Sequence, residues 1–384
     1  MVKIEKIIPG GQGLATLEDG KKAFFWNALP GEEIEEYQVT KNKSHYIEAT
    51  ATKISNNSKY RVEPRDDCYL STSPWQIINY DYELRFKQEL VVEIFREHHI
   101  TIDTPEIYTD GKDYYYRNKM EYALYWDHET EKIHLAFHER GSHRKIPIVS
   151  SSIERPEIFQ RASEIINELN NNHEEARKYQ SLLLRCNQKG EVSGGLYENH
   201  KPHQQFSPLT DEILGHTYTY SPNGFFQINL SVYEQALQAI KSHITTDKVL
   251  DLYSGVGTIG LSVARNHHLT LVECDKAAYN ELVNNAKPHP NTTTILDKSE
   301  NITNYIEQHT TVILDPPRAG CDKKLINKLI EVMPEKIIYL SCNPTTQARD
   351  VALLLEKYHI DEIKAFNFFP HTPHIENLII LSQQ

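Results

Sequence analysis

The sequence predicts an α/β fold, a doubly wound sheet with a parallel core, preceded by a small β-barrel and a mixed α+β middle region. Three observations predict it. From about residue 230, short β-branched runs alternate with helix-like stretches. Residues 1 to about 58 are short strands broken by turns. The 384 residues also exceed one typical domain. The expected division is 1–58, 59–215 and 216–384.

At the N-terminus, IEKIIP leads into the turn GGQG, Asp19-Gly20 marks a hairpin, and Pro30-Gly31 a further turn. Five or so strands in under 60 residues suggest a small barrel, with an oligonucleotide-binding barrel one option. Residues 59–75 form an irregular connector, and apolar recurrence predicts a helix over 77–100. The middle region mixes aromatic-rich strands, DYYYRNKMEYALYW and IHLAFHER, with a polar helix near 155–171. Its histidines, at 128, 134, 138, 143, 173, 200 and 203, show no tight metal-ligand spacing and are read as surface or RNA-facing. Then come helix-like VYEQALQAIKSH, the strand KVLDLY, a glycine turn, the helix TIGLSVARNHH, the strand LTLVECD and the helix AAYNELVNNAK. TTTIL, TTVILDPP, KIIYLSC and NLIILS supply the remaining strands.

Composition narrows the class without naming it. No apolar run approaches the roughly 18 residues of a spanning helix, so no membrane partner is expected. The charged, short apolar start is not read as a secretory signal. Five cysteines, an odd number without close pairs, argue against a disulfide framework and a CxxC-type zinc site, so no metal site is expected. A reducing cytoplasm is the expected location. A net charge of −12 does not advertise a nucleic-acid binder, but binding depends on local patches.

Four segments carry chemistry. Asp251-Leu-Tyr-Ser-Gly255-Val-Gly257-Thr-Ile-Gly260 lies on a strand–turn–helix, where glycines let backbone approach a ligand. Glu273, 22 positions on at the next strand's end, stands where an acid can hold a ribose diol. That pair fits nicotinamide, adenosylmethionine or plain packing. Asp315-Pro-Pro-Arg318-Ala-Gly320 ends a buried strand, with Asp315 offering an acceptor into the cleft. Ser341-Cys342-Asn343-Pro344 ends the next strand. An arbitrary cysteine is more often a buried structural one, but a position beside Asp315 favours a nucleophile. In FPHTPHIEN, Glu376 can serve as a base in the cleft, although solvation is the default for a glutamate.

Taken in order, DLYSGVGTIGL, VECD, DPPRAG, YLSCNPTTQARD and FPHTPHIEN closely resemble the RNA uridine-5-methyltransferase family, and Phe225-Phe226-Gln227-Ile-Asn229 matches its FxQxN element. GGQGLA…LPGE…EP resembles the RNA-binding TRAM barrel of many members, while YRNKMEYAL and FHERGSHR resemble their central domain. The resemblance implies a Rossmann-like S-adenosylmethionine methyltransferase domain behind an OB-type barrel. It implies that Gln227, Tyr253, Glu273 and Asp315 bind S-adenosyl-L-methionine, that Cys342 is the nucleophile, and that Glu376 is the general base. The implied chemistry is coherent. Carbon 5 of uracil is too weak a nucleophile alone, and a thiolate adding to carbon 6 makes it enolate-like. A carboxylate must then take the carbon-5 proton. The thiol needs an electropositive neighbour, a part Arg318 can fill. Tyr114, Tyr115, Arg117, Lys119, Arg140 and Arg144 are candidates to hold the RNA strand, with ordinary packing an equal alternative for each.

One departure stands out. Relatives with the barrel often hold an iron–sulfur cluster with three cysteines soon after the EP and a fourth after the central strands. Here those stretches are DDCYLSTSPWQ, with Cys68 alone, and PIVSSSIERP, with none. One thiolate cannot hold a cluster. No iron–sulfur cluster is expected; what replaces its structural role around residues 66–76 is not visible in the sequence, with packing of Trp75 one option. The expected substrate is 23S rRNA, with tRNA the alternative, and the expected state is a monomer. An amino-group methyltransferase, a non-catalytic RNA-binding factor and a nicotinamide enzyme are the rival readings. None of them uses SCNP.

Overall fold

The computed structural model describes residues 1–172 and 177–384, so His173 lies outside the described residues. Six short strands build the N-terminal barrel, in the order Val2–Lys3, Glu33–Asn42, Tyr46–Asn56, Lys22–Trp26, Gly13–Thr16, Lys6–Ile7. Alternation fills it. Ala23 and Phe25 turn inward from Lys22–Trp26 to meet Ala15, Ile34, Ile47 and Ala49. Gly20 turns the expected hairpin with φ +84°, a conformation most side chains avoid.

In the middle region, a six-stranded antiparallel sheet runs from Lys145–Pro147 through Lys132–His138, Lys119–Asp127, Ser181–Cys186 and Val192–Glu198 to Lys201–Pro202. The helix Pro156–Asn170 lays Ile158, Ala162 and Ile166 on its apolar face. The expected strand from Tyr114 starts only at Lys119. Tyr115 has φ +58°, which no strand accommodates, so the chain bends there.

The C-terminal part is built on an eight-stranded sheet. Its order is Thr292–Leu296, His268–Glu273, Lys248–Leu252, Thr310–Leu314, Lys336–Ser341, Glu376–Gln383, Tyr358–Phe366 and Glu106–Tyr108. The first five strands are parallel. Glu376–Gln383 then inserts antiparallel, with Ser341 opposite Asn377. Strand order reverses between Lys248–Leu252 and Thr310–Leu314, which opens a crevice at their carboxyl ends. The helix after the glycine turn spans only Thr258–Val263, shorter than its apolar run suggests, because His268 already pairs with Lys248 in the sheet.

Besides the edge strand Glu106–Tyr108, two further segments that begin before residue 216 join this unit. The helix Tyr80–Glu97, capped by the Asn79 side chain on Asp81 N, buries Val91, Ile94 and Phe95 with Leu325, Leu354 and Ile379. Full burial of such side chains contributes about 1.5–3 kcal/mol each. The hairpin Leu209–Ile213/His216–Tyr220 spans the expected 215/216 boundary and packs into the core on the other face of this sheet. No helix among the described residues is long and apolar enough to cross a membrane.

The two stretches compared above with cluster-binding segments meet in space. Asp66 Oδ2 accepts from Ser152 N (3.0 Å), Ser152 Oγ (2.8 Å) and Gln76 Nε2 (2.8 Å), and Gln76 Nε2 also donates to Ser73 Oγ (2.7 Å). Gln76 Oε1 accepts from the amides of Arg65 and Asp66. A buried polar network therefore ties 66–76 to 151–154. Trp75 does pack beside it, against Ile7, Ile77, Ile78 and Leu90, and its Nε1 donates to Gly11 O.

Candidate active site

At the carboxyl edge of the sheet, three chain segments converge. Asp315 follows the strand Thr310–Leu314, Cys342 follows Lys336–Ser341, and Glu376 opens the antiparallel strand beside it. Because that last strand runs backwards, its beginning lies at the edge where its neighbour ends. This brings Glu376 to Cys342. The thiol is half-buried and lines a cleft of about 210 Å³ with Arg318, Thr345, Pro373 and His374.

Electrostatics there oppose ionisation. Burial pushes the Cys342 thiol up to about 11, helped by the negative charges of Glu376 and Asp315 and countered by Arg318. Burial also raises the Glu376 carboxyl well above its usual range, again with Asp315 adding and Arg318 opposing. Asp315 is pushed up to about 7 by desolvation. Three acidic groups share one pocket, and Arg318 is the cation that favours the charged forms of the first two.

The second half of the site is a cradle at the end of the strand Lys248–Leu252. Asp251 is buried and pushed up to about 8, chiefly by burial. Its Oδ2 accepts from Gly260 N at 2.9 Å, which fixes the start of the helix. A Cβ at Gly260 would stand 2.5 Å from Leu271 Cδ2 and 2.8 Å from Asp251 Oδ2, so only glycine allows this close packing. Tyr253 holds φ +65°, a strained value typical of ligand cradles. Glu273 accepts from the amides of Gly255 (2.8 Å), Cys274 (2.8 Å) and Asp275 (2.6 Å), which aims its carboxylate across the turn. A Cβ on Gly255 would meet nothing within 4 Å, so the turn faces open space that a nucleoside can fill. Tyr253, Glu273 and Asp315 therefore stand at the carboxyl ends of three neighbouring parallel strands.

Gln227 reaches this end on a loop that the middle region holds. Asn118 N and Nδ2 donate to Ile228 O and Gln227 O, Lys119 Nζ to Asn223 O and Gly224 O, and Arg185 Nη2 to Phe226 O. Asn229, two residues on, reaches Phe368 O in the segment leading to Glu376. Lys119 therefore serves within the protein, as does Arg140, which donates to Leu70 O and covers the Trp26 ring at 4.2 Å. Arg144 pairs with Glu139, while Arg117 donates to Lys119 O. Tyr114 packs against the His371 ring at 4.3 Å, and Tyr115 is exposed.

Sequence reasoning missed two contributors to the cleft. The barrel turn supplies Pro9 and Gly10 to its wall, and Gly11 lies so close that a Cβ would be 2.4 Å from Pro373 Cβ. The buried pair Glu83–Lys87 (2.7 Å) on the helix Tyr80–Glu97 anchors the segment before Glu376. Glu83 accepts from His371 N, and Lys87 donates to Asn367 Oδ1 and Phe369 O. Two charges four residues apart in an otherwise apolar helical face were the available signal. Among the described residues, no group of three or more His, Cys, Asp or Glu is placed to hold a metal ion.

Comparison with known proteins gives consistent likenesses. A family model described as tRNA (Uracil-5-)-methyltransferase matches residues 296–384. The 23S rRNA (uracil(1939)-C(5))-methyltransferase of Vibrio campbellii is 28% identical over 433 residues, covering 100% of this chain and 95% of its own. An RNA methyltransferase of Prochlorococcus marinus is 29% identical over 421 residues, 92% of this chain and 99% of that one. Among solved structures, the Pyrococcus abyssi tRNA (uracil-54, C5)-methyltransferase in complex with S-adenosyl-L-homocysteine superposes with a TM-score of 0.79 at 25% identity, covering 99% of this chain and 100% of that one.

Proposed function

Because the chain belongs to the RNA uracil-5-methyltransferase family, we propose that it forms 5-methyluridine in RNA through a covalent step on Cys342. One observation carries the reading: Cys342 follows the end of one strand and Glu376 opens its antiparallel neighbour, with Asp315 and Arg318 close enough to act on the thiol. Gln227, Tyr253, Glu273 and Asp315 hold S-adenosyl-L-methionine, a reading supported by the open turn at Gly255 and by the homocysteine analogue in the Pyrococcus abyssi enzyme. That group supplies an electrophilic methyl on a sulfonium.

The chain's own residues do the rest. Cys342, once its proton has left, adds to carbon 6 of the uracil ring, and electron density moves to carbon 5. After carbon 5 is methylated, Glu376 takes its remaining proton, and the ring electrons expel the thiolate. Glu376 must be in its charged form to accept that proton, a form that burial disfavours and the Arg318 charge favours. The cleft beside Cys342 is narrow, so the uridine must leave its stack to enter, at a cost of about a few kcal/mol.

We read 23S rRNA as the substrate, supported by the Vibrio relative that aligns along the whole chain. A second reading, tRNA, is favoured by the Pyrococcus structure, whose match to 99% of this chain takes in the barrel. A barrel of this kind therefore does not by itself separate the two. We also read the enzyme as a cytoplasmic monomer, since one chain supplies every group of the site. Mapping 5-methyluridine in ribosomal and transfer RNA, with and without the protein, decides the substrate. Covalent trapping of Cys342 on 5-fluorouridine RNA tests the chemistry, and absence of an adduct from active protein would overturn it.

A further inference from the structure

Beyond Thr345, which lines the cleft, the segment Thr346-Gln347-Ala348-Arg349-Asp350 touches no substrate in this reading, yet its polar side chains make a directed set of bonds. They lie on the helix Pro344–Leu354, which Asn343 caps by accepting from Thr345 N. Three of them face the loop after Asp315. Thr346 Oγ1 donates to Arg318 O (3.2 Å), where Asn343 Nδ2 also binds (2.8 Å). Arg349 Nη2 donates to Ala319 O (3.1 Å) and pairs with Asp350 (2.7 Å). Asp350 Oδ2 accepts from Cys321 N (2.8 Å) and Tyr339 OH (2.9 Å). The fit leaves no slack: a Cβ on Gly320 would lie 2.7 Å from both Arg349 Nη2 and Asp350 Oδ2.

The fourth faces the other way. Gln347 is fully buried; its Nε2 donates to Tyr339 O (2.8 Å) and Asn377 O (3.0 Å), and its Oε1 accepts from Asn377 Nδ2 (2.7 Å). Tyr339 lies on the strand leading to Cys342, and Asn377 follows Glu376. One side chain thus ties the strand of the nucleophile to the strand of the base, at the end where their ladder stops.

We propose that the helix Pro344–Leu354 is a positioning clamp for the reaction: Thr346, Arg349 and Asp350 fix the backbone that carries Arg318, and Gln347 fixes the strand start that carries Glu376, so that both groups are held against Cys342. None of the four touches the reacting atoms. The proposal rests on Cys342 and Glu376 being nucleophile and base. Its physical content is electrostatic and geometric. Two carboxyl groups disfavour the Cys342 thiolate and Arg318 favours it, so a loosened loop weakens the favourable charge while leaving the unfavourable ones in place.

The test reads the thiol directly, without RNA. Alkylation of Cys342 by iodoacetamide is followed across pH by mass spectrometry of the peptide that contains it, since Cys274 is also exposed. Arg318→Gln, Thr346→Val and Arg349→Lys should each move the profile to higher pH, by roughly 0.5 to 1 for the two clamp variants. Thr346→Ser, which keeps the hydroxyl, should restore the wild-type profile. Gln347→Leu should leave alkylation unchanged but lower kcat with little change in KM and accumulate protein–RNA adduct. The proposal is overturned if Arg318→Gln shifts the profile while well-folded Thr346→Val and Arg349→Lys superpose on wild type, or if Gln347→Leu turns over normally. It is also overturned if Arg318→Gln itself shifts nothing. Failure of the underlying reading shows differently, as Cys342→Ala protein that still methylates RNA.

Discussion

Cys342 and Cys68 are both held among carboxylates, and of these two only Cys342 has a cleft before it and a cation beside it. At the sheet edge, Cys342 lies with Glu376 and Asp315; at the junction of 66–76 with 151–154, Cys68 lies with Asp66 and Glu154. The perturbations are alike. Burial drives Cys68 up to about 12 and Cys342 up to about 11, and Glu154 reaches about 8 where Asp315 reaches about 7. What differs is access and counter-charge. Cys342 opens onto a cleft and has Arg318 working in its favour, whereas Cys68 is buried and the charges acting on it, from Asp66, Glu154 and Asp67, all oppose ionisation. A displaced pKa alone does not mark a reactive thiol; a path to solvent and a compensating cation do.

The sharpest way to break the comparison is to delete each sulfur. Cys342→Ala should lower methyl transfer to RNA by about a thousandfold or more, while Cys68→Ala should stay within about twofold in the same labelled-methyl assay. Equal losses from two folded variants would erase the distinction. Next, Glu376→Gln should slow turnover by about a hundredfold and leave a covalent protein–RNA species visible on a denaturing gel, because the thiol can add but cannot be expelled. At the junction the effect should be on stability instead. Asp66→Ala strands the donors of Gln76 and Ser152 and should cost roughly 3–5 kcal/mol in denaturant unfolding, with kcat nearly unchanged.

The smallest effect concerns pH. Glu154 is fully buried, its carboxyl oxygens lack a well-formed hydrogen bond, and its pKa is raised from 4.5 to about 8. Between those values the folded protein holds a proton that the unfolded chain has released, so stability falls as pH rises through this window. Glu154→Gln should flatten that fall, gaining roughly 1–2 kcal/mol at pH 8 relative to pH 5. Unfolding midpoints of the two proteins at both values check it, and parallel slopes would count against the assignment.

Much of the reactive edge was legible because each piece is a strand followed by a short loop. Asp251, Asp315 and Cys342 each sit at the end of a β-branched run or just past it, and the sheet's topology gathers such ends. Glu376 was legible from its motif and not from periodicity, since an acid at a strand start reads as a surface residue. The barrel turn at Pro9-Gly10 and the pair Glu83–Lys87 were not legible as parts of the cleft. Their roles come from docking between segments hundreds of residues apart, which no local pattern encodes. Lys119 illustrates the same limit: RNA contact and ordinary packing were equal readings for it, and it spends its donors on the loop of Gln227. The packing of Trp75 was legible as one option, whereas the polar network beside it depends on Ser152, some eighty residues away.

The reversed direction of the last strand has a consequence for how this site tolerates change. Distance between sulfur and carboxylate is counted in rungs of the ladder between Lys336–Ser341 and Glu376–Gln383, not in the length of the chain that joins them. The number of residues joining 344 to 375 does not itself set that distance, as long as Ser341 stays opposite Asn377. A slip by a single residue, by contrast, would change it. It would send Asn377 to the place of Glu376, put an amide where the proposed reaction takes a carboxylate, and turn the buried side chains of the strand to the wrong faces of the sheet.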